Sequence, residues 1–203
     1  MQRVMVFIDQ LNFEIALLNY YRDNGSQAPR LDYNALPIEL TKLLPGENHL
    51  VKTFLFVPKP DEFLMNLPRW QHYSNWINGM KNQHYFTVIE GAYVARQIDE
   101  SIPMDVNDPR TYYKEEKGTD INIAVHVLTK GFMNAYDTAL ILSGDSDYVT
   151  VLDILNTIGK TTVVTGVKGQ NISKLRKSCD DSYIIDDTFF QRCLRDDSRR
   201  LSP

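Results

Sequence analysis

Val4 to Ile8 form an unbroken apolar run that Asp9 ends. A strand buried on both faces of a parallel sheet reads this way. Apolar residues then recur at helical spacing, as Leu11, Ile15 and Leu18 and as Phe13, Leu17 and Tyr20, which predicts a helix over 11–21. A polar loop at 23–26 follows. A second helix is predicted over 33–44, stopped by Pro45 and Gly46. The run 50–57 predicts a second strand, ended by Pro58, and 85–95 a third, broken at Gly91. Between them, Trp70, Tyr73, Ile77 and Met80 share one face of a helix over 68–83.

The stretch 97–116 carries Pro103, Asp105, Asp108 and Pro109 and predicts an irregular loop. A helix over 118–130 follows, with Ile121, Ala124, Val125 and Leu128 as its apolar stripe and a left-handed Gly131 as its end. Strands are predicted over 139–142, 161–165 and 183–185. Helices are predicted over 148–158, ended by Gly159, and over 172–177. Strands alternating with helices predict an α/β fold: a parallel sheet with helices on both faces. No repeat or linker divides the chain, so one domain is expected over 1–190, with a short charged tail over 191–203.

With 43% hydrophobic and 24% charged residues the composition is that of a globular domain. The net charge of −4 argues against a basic nucleic-acid coat. Locally the balance reverses. From Ile154 to Cys179 there is no acidic residue but there are Lys160, Lys168, Lys174, Arg176 and Lys177, either a phosphate-facing surface or a solvated basic face. Cys179 and Cys193 lack metal-ligand spacing and are expected as reduced thiols. No apolar run approaches the ~20 residues of a membrane span, and the start is too quickly polar for a signal peptide. A cytoplasmic protein with no membrane partner is expected.

Ligands of open α/β sheets gather at the carboxyl ends of strands. Asp9 follows the first strand, Asp145 and Asp147 follow the fourth within Ser-Gly-Asp-Ser-Asp, and Asp120 opens a helix. Singly, each could cap a helix. As a set converging on one crevice, they would repel one another unless a cation neutralised them. Mg²⁺ or Mn²⁺ prefers such oxygens, and could lower the pKa of a bound water that attacks a phosphate. Lys117 could meet a phosphate or pair with Asp120. Ser143 and Ser146 could bond phosphate oxygens, orient a carboxylate or serve turn chemistry. Asn12 could hold Asp9 or face a substrate. Tyr112 and Tyr113, with Arg110 and Lys114 beside them, are candidates to stack on bases and meet a backbone. Trp70, Tyr73, Trp76 and Tyr85 could also stack on bases but at helical spacing read as core, and the four histidines show no ligand spacing.

The order of these motifs resembles one family. Asp9 with Asn12 three on is followed by Lys117-Gly118-x-Asp120 opening a helix. Then come Ser143 to Asp147 and the Gly159 to Val164 strand. This resembles the NYN domain family, the LabA-like branch of the PIN-like nuclease superfamily, over about Arg3 to Asp186. The resemblance implies a Rossmann-like three-layer αβα sandwich with a mostly parallel sheet of five or six strands. It also implies a metal-dependent ribonuclease with Asp9, Asp120, Asp145 and Asp147 as its catalytic and metal-binding cluster, and single-stranded RNA as the expected partner. Asn12, Lys117, Ser143, Ser146, Arg110, Lys114 and Lys168 are the candidate substrate contacts. A homodimer is left open. The departure is Gln10, where many relatives carry a Gly that leaves room for substrate. No Gly-x-Gly-x-x-Gly and no P-loop is present. The serious rival is a non-catalytic RNA- or protein-binding regulator on the same scaffold.

Overall fold

The computed structural model describes residues 1–195; the rest of the expected charged tail, 196–203, lies outside the described residues. The central strand β1 (Gln2–Asp9) is apolar on both faces because both are covered. Going outward on one side it is followed by β2 (Asn48–Pro60), β3 (Phe86–Gln97) and β4 (Tyr112–Lys117). On the other side come β5 (Thr138–Leu142), β6 (Thr161–Val167) and β7 (Asp181–Ile185). All pair in parallel except β4, which runs antiparallel to β3. The expected mostly parallel sandwich is the fold found, with seven strands rather than five or six.

One face is packed by α1 (Gln10–Asp23), α2 (Ala35–Thr41), α3 (Pro68–Lys81) and α7 (Asp187–Phe190). The other is packed by α4 (Thr119–Phe132), α5 (Val149–Thr157) and α6 (Ser173–Ser178). Val4, Val6 and Ile8 alternate with Met5 and Phe7 into the two cores. No helix among the described residues is long and apolar enough to cross a membrane. Both cysteines are free.

The irregular loop expected over 97–116 is wrong in its last five residues. Tyr112–Lys117 form β4, whose sequence Tyr-Tyr-Lys-Glu-Glu-Lys has no apolar alternation to betray a strand. The expected stop of the second strand at Pro58 is also wrong. β1 ends opposite Phe56, so Pro58 and Pro60 pair only with β3 and leave no ladder bond unmade on the other side. The third strand runs through Gly91 unbroken.

Gly131 does not end α4. It lies buried inside the helix, where a Cβ would come 2.8 Å from Leu155 Cδ2 and 2.9 Å from the Tyr136 hydroxyl. Asn134, at φ 53°, takes the left-handed position instead. Of the expected stripe, Ala124 and Leu128 pack partly buried against the core, but Ile121 and Val125 do not. Thr119, Ile123, Val127 and Gly131 face the sheet, while Ile121 is 69% exposed. The helix carries apolar residues on two faces, and spacing alone cannot choose between them. Finally, the packed unit does not stop at 190. Cys193 is fully buried and its carbonyl accepts from Asp32 N at 2.8 Å.

The β3–β4 ladder extends past the end of β1 and then returns the chain to α4. Gly91 permits the return. A Cβ there would collide with Thr119 Oγ1 and lie 2.9 Å from the Lys117 carbonyl. Because one obstacle is backbone, Gly91→Ala is expected to cost about 1–3 kcal/mol. Urea unfolding should show a lowered midpoint at unchanged slope. An unchanged midpoint would mean this close approach is not needed.

Candidate functional site

Strand order reverses direction between β1 and β5, and the crevice lies at their carboxyl ends. Ile8 pairs with Leu142, so Asp9 and Ser143 leave the sheet side by side. Asp9 caps α1: its Oδ1 accepts from Asn12 N at 3.2 Å. Its Oδ2 accepts from Ser143 Oγ at 3.0 Å and from the Tyr148 hydroxyl at 3.1 Å. Asp9 is only 4% exposed. That burial pushes its carboxyl up to about 6, against the pull of these three donors.

Tyr148 also reaches Asp120, at 3.0 Å from Oδ1. Burial and the two carboxylates raise its phenol far above the usual range, so it keeps its proton. A phenol has one proton for two carboxylates. The second contact therefore calls for a proton on a carboxyl group or for a cation beside it. Asp145 caps the single turn 146–148, accepting from Asp147 N at 2.9 Å, and its own N donates to Ser143 Oγ at 3.1 Å. Asp147 is exposed at the rim. Partial burial and the charges of Asp120 and Asp145 raise Glu116 above its usual value. Glu116 in turn adds to the elevation of Asp9. Asp9, Asp120, Asp145 and Glu116 therefore share one electrostatic neighbourhood. None of them, nor Asp147, forms an ion pair with a described basic side chain.

Glu116 and Tyr148 are the site residues the sequence reading missed. Glu116 lay in the segment read as loop, and Tyr148 was read only as the start of a helix.

The other candidates divide. Asn12 holds neighbouring loops: its Oδ1 accepts from Gly144 N at 2.9 Å and from Gln170 Nε2 at 2.8 Å. Ser143 is buried and orients Asp9. Ser146 stands beside Asp145 and its hydroxyl enters none of the described hydrogen bonds. Lys117 pairs with Glu115 at 3.3 Å, not with Asp120.

Arg110 is forked onto Asp108 at 2.8 and 2.9 Å. The Lys114 ammonium sits 5.5 Å over the Trp70 ring and 5.7 Å over Tyr93. Lys114 pairs with Ala95, six residues beyond the Ile89 level where β1 ends, roughly 20 Å along the ladder. Arg110 and Lys114 are thus not gathered at the crevice. Tyr112 is buried against Phe63, while Tyr113 is exposed.

The basic run is not one face either. Lys160 precedes β6 and bonds Tyr136 O at the amino end of the sheet, while Lys168 follows β6 at the carboxyl end.

The NYN domain model matches residues 3–187. The chain belongs to the NYN domain family. NYN domains form part of the PIN-like nuclease superfamily. A crystal structure of a protein of unknown function from Vibrio parahaemolyticus superposes with a TM-score of 0.56, at 17% identity and over 96% of each chain. That likeness concerns the fold. No curated protein matches the chain.

Every side-chain ligand atom offered by the carboxylates of this NYN crevice is an oxygen, and none of them pairs with a basic side chain among the described residues. That set fits a hard divalent cation. Among the described residues, however, no three His, Cys, Asp or Glu side chains are drawn together closely enough to form a finished metal cluster.

A carboxyl raised in the folded state stabilises the fold at low pH. Asp9 should contribute stability in full below about pH 4 and lose it as pH rises through about 6, a loss of about 3 kcal/mol for two pKa units. Urea unfolding of the metal-free protein across this window, set against Asp9→Asn, checks it. The difference between the two proteins should grow in favour of the variant as pH rises, and a flat difference would contradict the assignment.

Proposed function

We propose that this NYN domain is a ribonuclease that hydrolyses RNA phosphodiester bonds at the Asp9–Asp120–Asp145–Asp147 cluster with Mg²⁺ or Mn²⁺. The observation that carries the reading is the Tyr148 bridge. One phenol proton is shared between Asp9 and Asp120, in a group of carboxylates that form no ion pair with a basic side chain among the described residues. Such an arrangement is costly unless a cation joins it.

Asp9, Asp120 and Asp145 would hold the ion, with Asp147 at the rim and Glu116 as a further carboxylate facing it. When bound, the ion supplies charge neutralisation and Lewis acidity at the phosphodiester. The protein's own residues set the geometry. Ser143, Asn12 N and Tyr148 fix the Asp9 carboxylate. Asp145 is fixed by its own turn. A carboxylate of the cluster can accept a proton from an attacking water. Ser146 and Lys117 stand at the edge, where a phosphate would lie. Single-stranded RNA is the proposed substrate, and a cytoplasmic location suits it.

The test is cleavage of labelled single-stranded RNA by wild type and Asp145→Asn, with Mn²⁺, Mg²⁺ or EDTA. Asparagine still accepts from the Asp147 amide, so the turn survives and only the charge is removed. Cleavage should require the metal and fall at least ~100-fold in the variant. Equal cleavage by the variant would remove Asp145 from the mechanism. No cleavage with any metal or RNA tried would leave a non-catalytic binding domain.

A further inference from the structure

α1 carries a second, half-exposed stripe beside its core face, of which Ala16 also touches the core. Asn12, Ile15, Ala16 and Asn19 lie at spacings of three, four and seven residues, one wall of a cleft of about 390 Å³. The facing wall is the Lys168–Gln170 loop that follows β6. The size falls in the ~300–1,000 Å³ range of small-ligand sites.

The cleft is not separate from the acidic crevice. Asn12 is common to both, its amide on Asp9 and its side chain clamped to Gly144 and Gln170. The wall is part apolar, since Ile15 is 49% exposed beside Ala16. Tyr20, one turn beyond Ala16, donates its hydroxyl to Asp187 at 3.1 Å and sets its ring edge-on to Tyr21. Asp23 and Asn24, at the far end of the lining, are taken up by Arg22 and the Tyr20 carbonyl, but two polar side chains are unspent among the described residues. The Asn19 carboxamide enters none of the described hydrogen bonds, and Lys168 forms none of the described ion pairs.

An unstacked nucleobase is recognised by a flat apolar surface together with donors and acceptors on its edge, and its phosphate by a nearby cation. We propose that this cleft seats one base of the RNA strand adjacent to the phosphate held at the acidic cluster. Asn19 reads the base edge, Ile15 and Ala16 contact its face, and Lys168 meets the backbone. The proposal rests on the ribonuclease reading for its substrate, but its test does not need cleavage.

The full-length Asp145→Asn protein, which should not cut, is titrated in Mg²⁺ with labelled single-stranded RNA oligomers. Each oligomer carries one abasic position, moved along the strand. One position should weaken binding about tenfold, and Asn19→Ala should reduce that sensitivity, leaving the part owed to Ile15 and Ala16 on the base face. Asn19→Ala and the abasic lesion should thus fail to add. Asn19 sits on a partly exposed helix face, so folding is not at stake. A second variant, Ala16→Trp, fills the cleft and should weaken intact RNA to a similar degree.

Additive losses, an absence of any sensitive position, or unchanged binding by Ala16→Trp would each overturn the proposal. Mononucleotides binding as tightly as the oligomer, with the same Asn19 dependence, would also overturn it and make the cleft a free-nucleotide site. Non-additive losses in a protein whose wild type never cuts would sink the ribonuclease reading and keep the cleft. Metal-dependent cutting with additive losses would do the reverse.

Discussion

The structure is organised around one buried carboxylate. Asp9 stands at the end of the central strand with almost no access to water. An ionised group there is expensive unless hydrogen bonds surround it. Three elements supply them: the first turn of α1, the Ser143 loop after β5, and Tyr148 before α5. These are the segments that meet where the sheet changes direction. Satisfying Asp9 thus fixes their relative positions. Ser143 extends the arrangement by accepting from Asp145 N, so the second aspartate is set by the same network.

Asp120 and Glu116 come from the opposite side of the sheet by a longer route. β2 and β3 run several residues beyond β1, and the prolines of β2 are tolerated because that overhang has a single partner. β4 then folds back along β3 and delivers α4 at the level of Asp9. A helix start near the crevice demands a close crossing between β3 and the turn before α4, which Gly91 provides. The left-handed Gly118, at φ 80°, makes the turn from strand into helix. The first turn of α4 then presents Asp120 where the helix dipole favours an anion.

Most of this architecture was legible in the chain. Continuous apolar runs marked β1 and β5 because both their faces are covered, and helical spacing marked α1 and α3. Asp9 was legible because it stands directly at a strand end, Asp145 and Asp147 because they closely follow one, and Asp120 because it opens a helix. What escaped notice has a common physical cause. β4 is an edge strand in a polar overhang, so its residues carry no burial pattern, and Glu116 went with it. The inward face of α4 was misread because its sheet-facing stripe uses Thr119 and Gly131, small residues that let the helix sit close, while Ile121 and Val125 face solvent. The scattered ends of Lys160 and Lys168 were hidden for a simpler reason. A strand of seven residues separates them, and sequence proximity is not spatial proximity along an extended chain.

Gln10 bears on how the crevice is reached. A glutamine beside Asp9 threatens to fill the space that a glycine would leave. Its side chain does not point there. Gln10 is 3% exposed, its Oε1 accepts from the Tyr73 hydroxyl at 2.8 Å, and its Nε2 donates to Glu14. The glutamine is spent on joining α1 to α3 beneath the crevice. Tyr73 stacks on Trp76 and packs edge-on against Trp70. The ring cluster of α3 is thereby tied to the helix that Asp9 caps. A residue that looks like an obstruction in the linear motif is, in three dimensions, an anchor. The helix whose outer face lines the nucleotide-sized cleft is the same one anchored here, so the cleft wall and the Asp9 carboxylate are held as a single rigid unit.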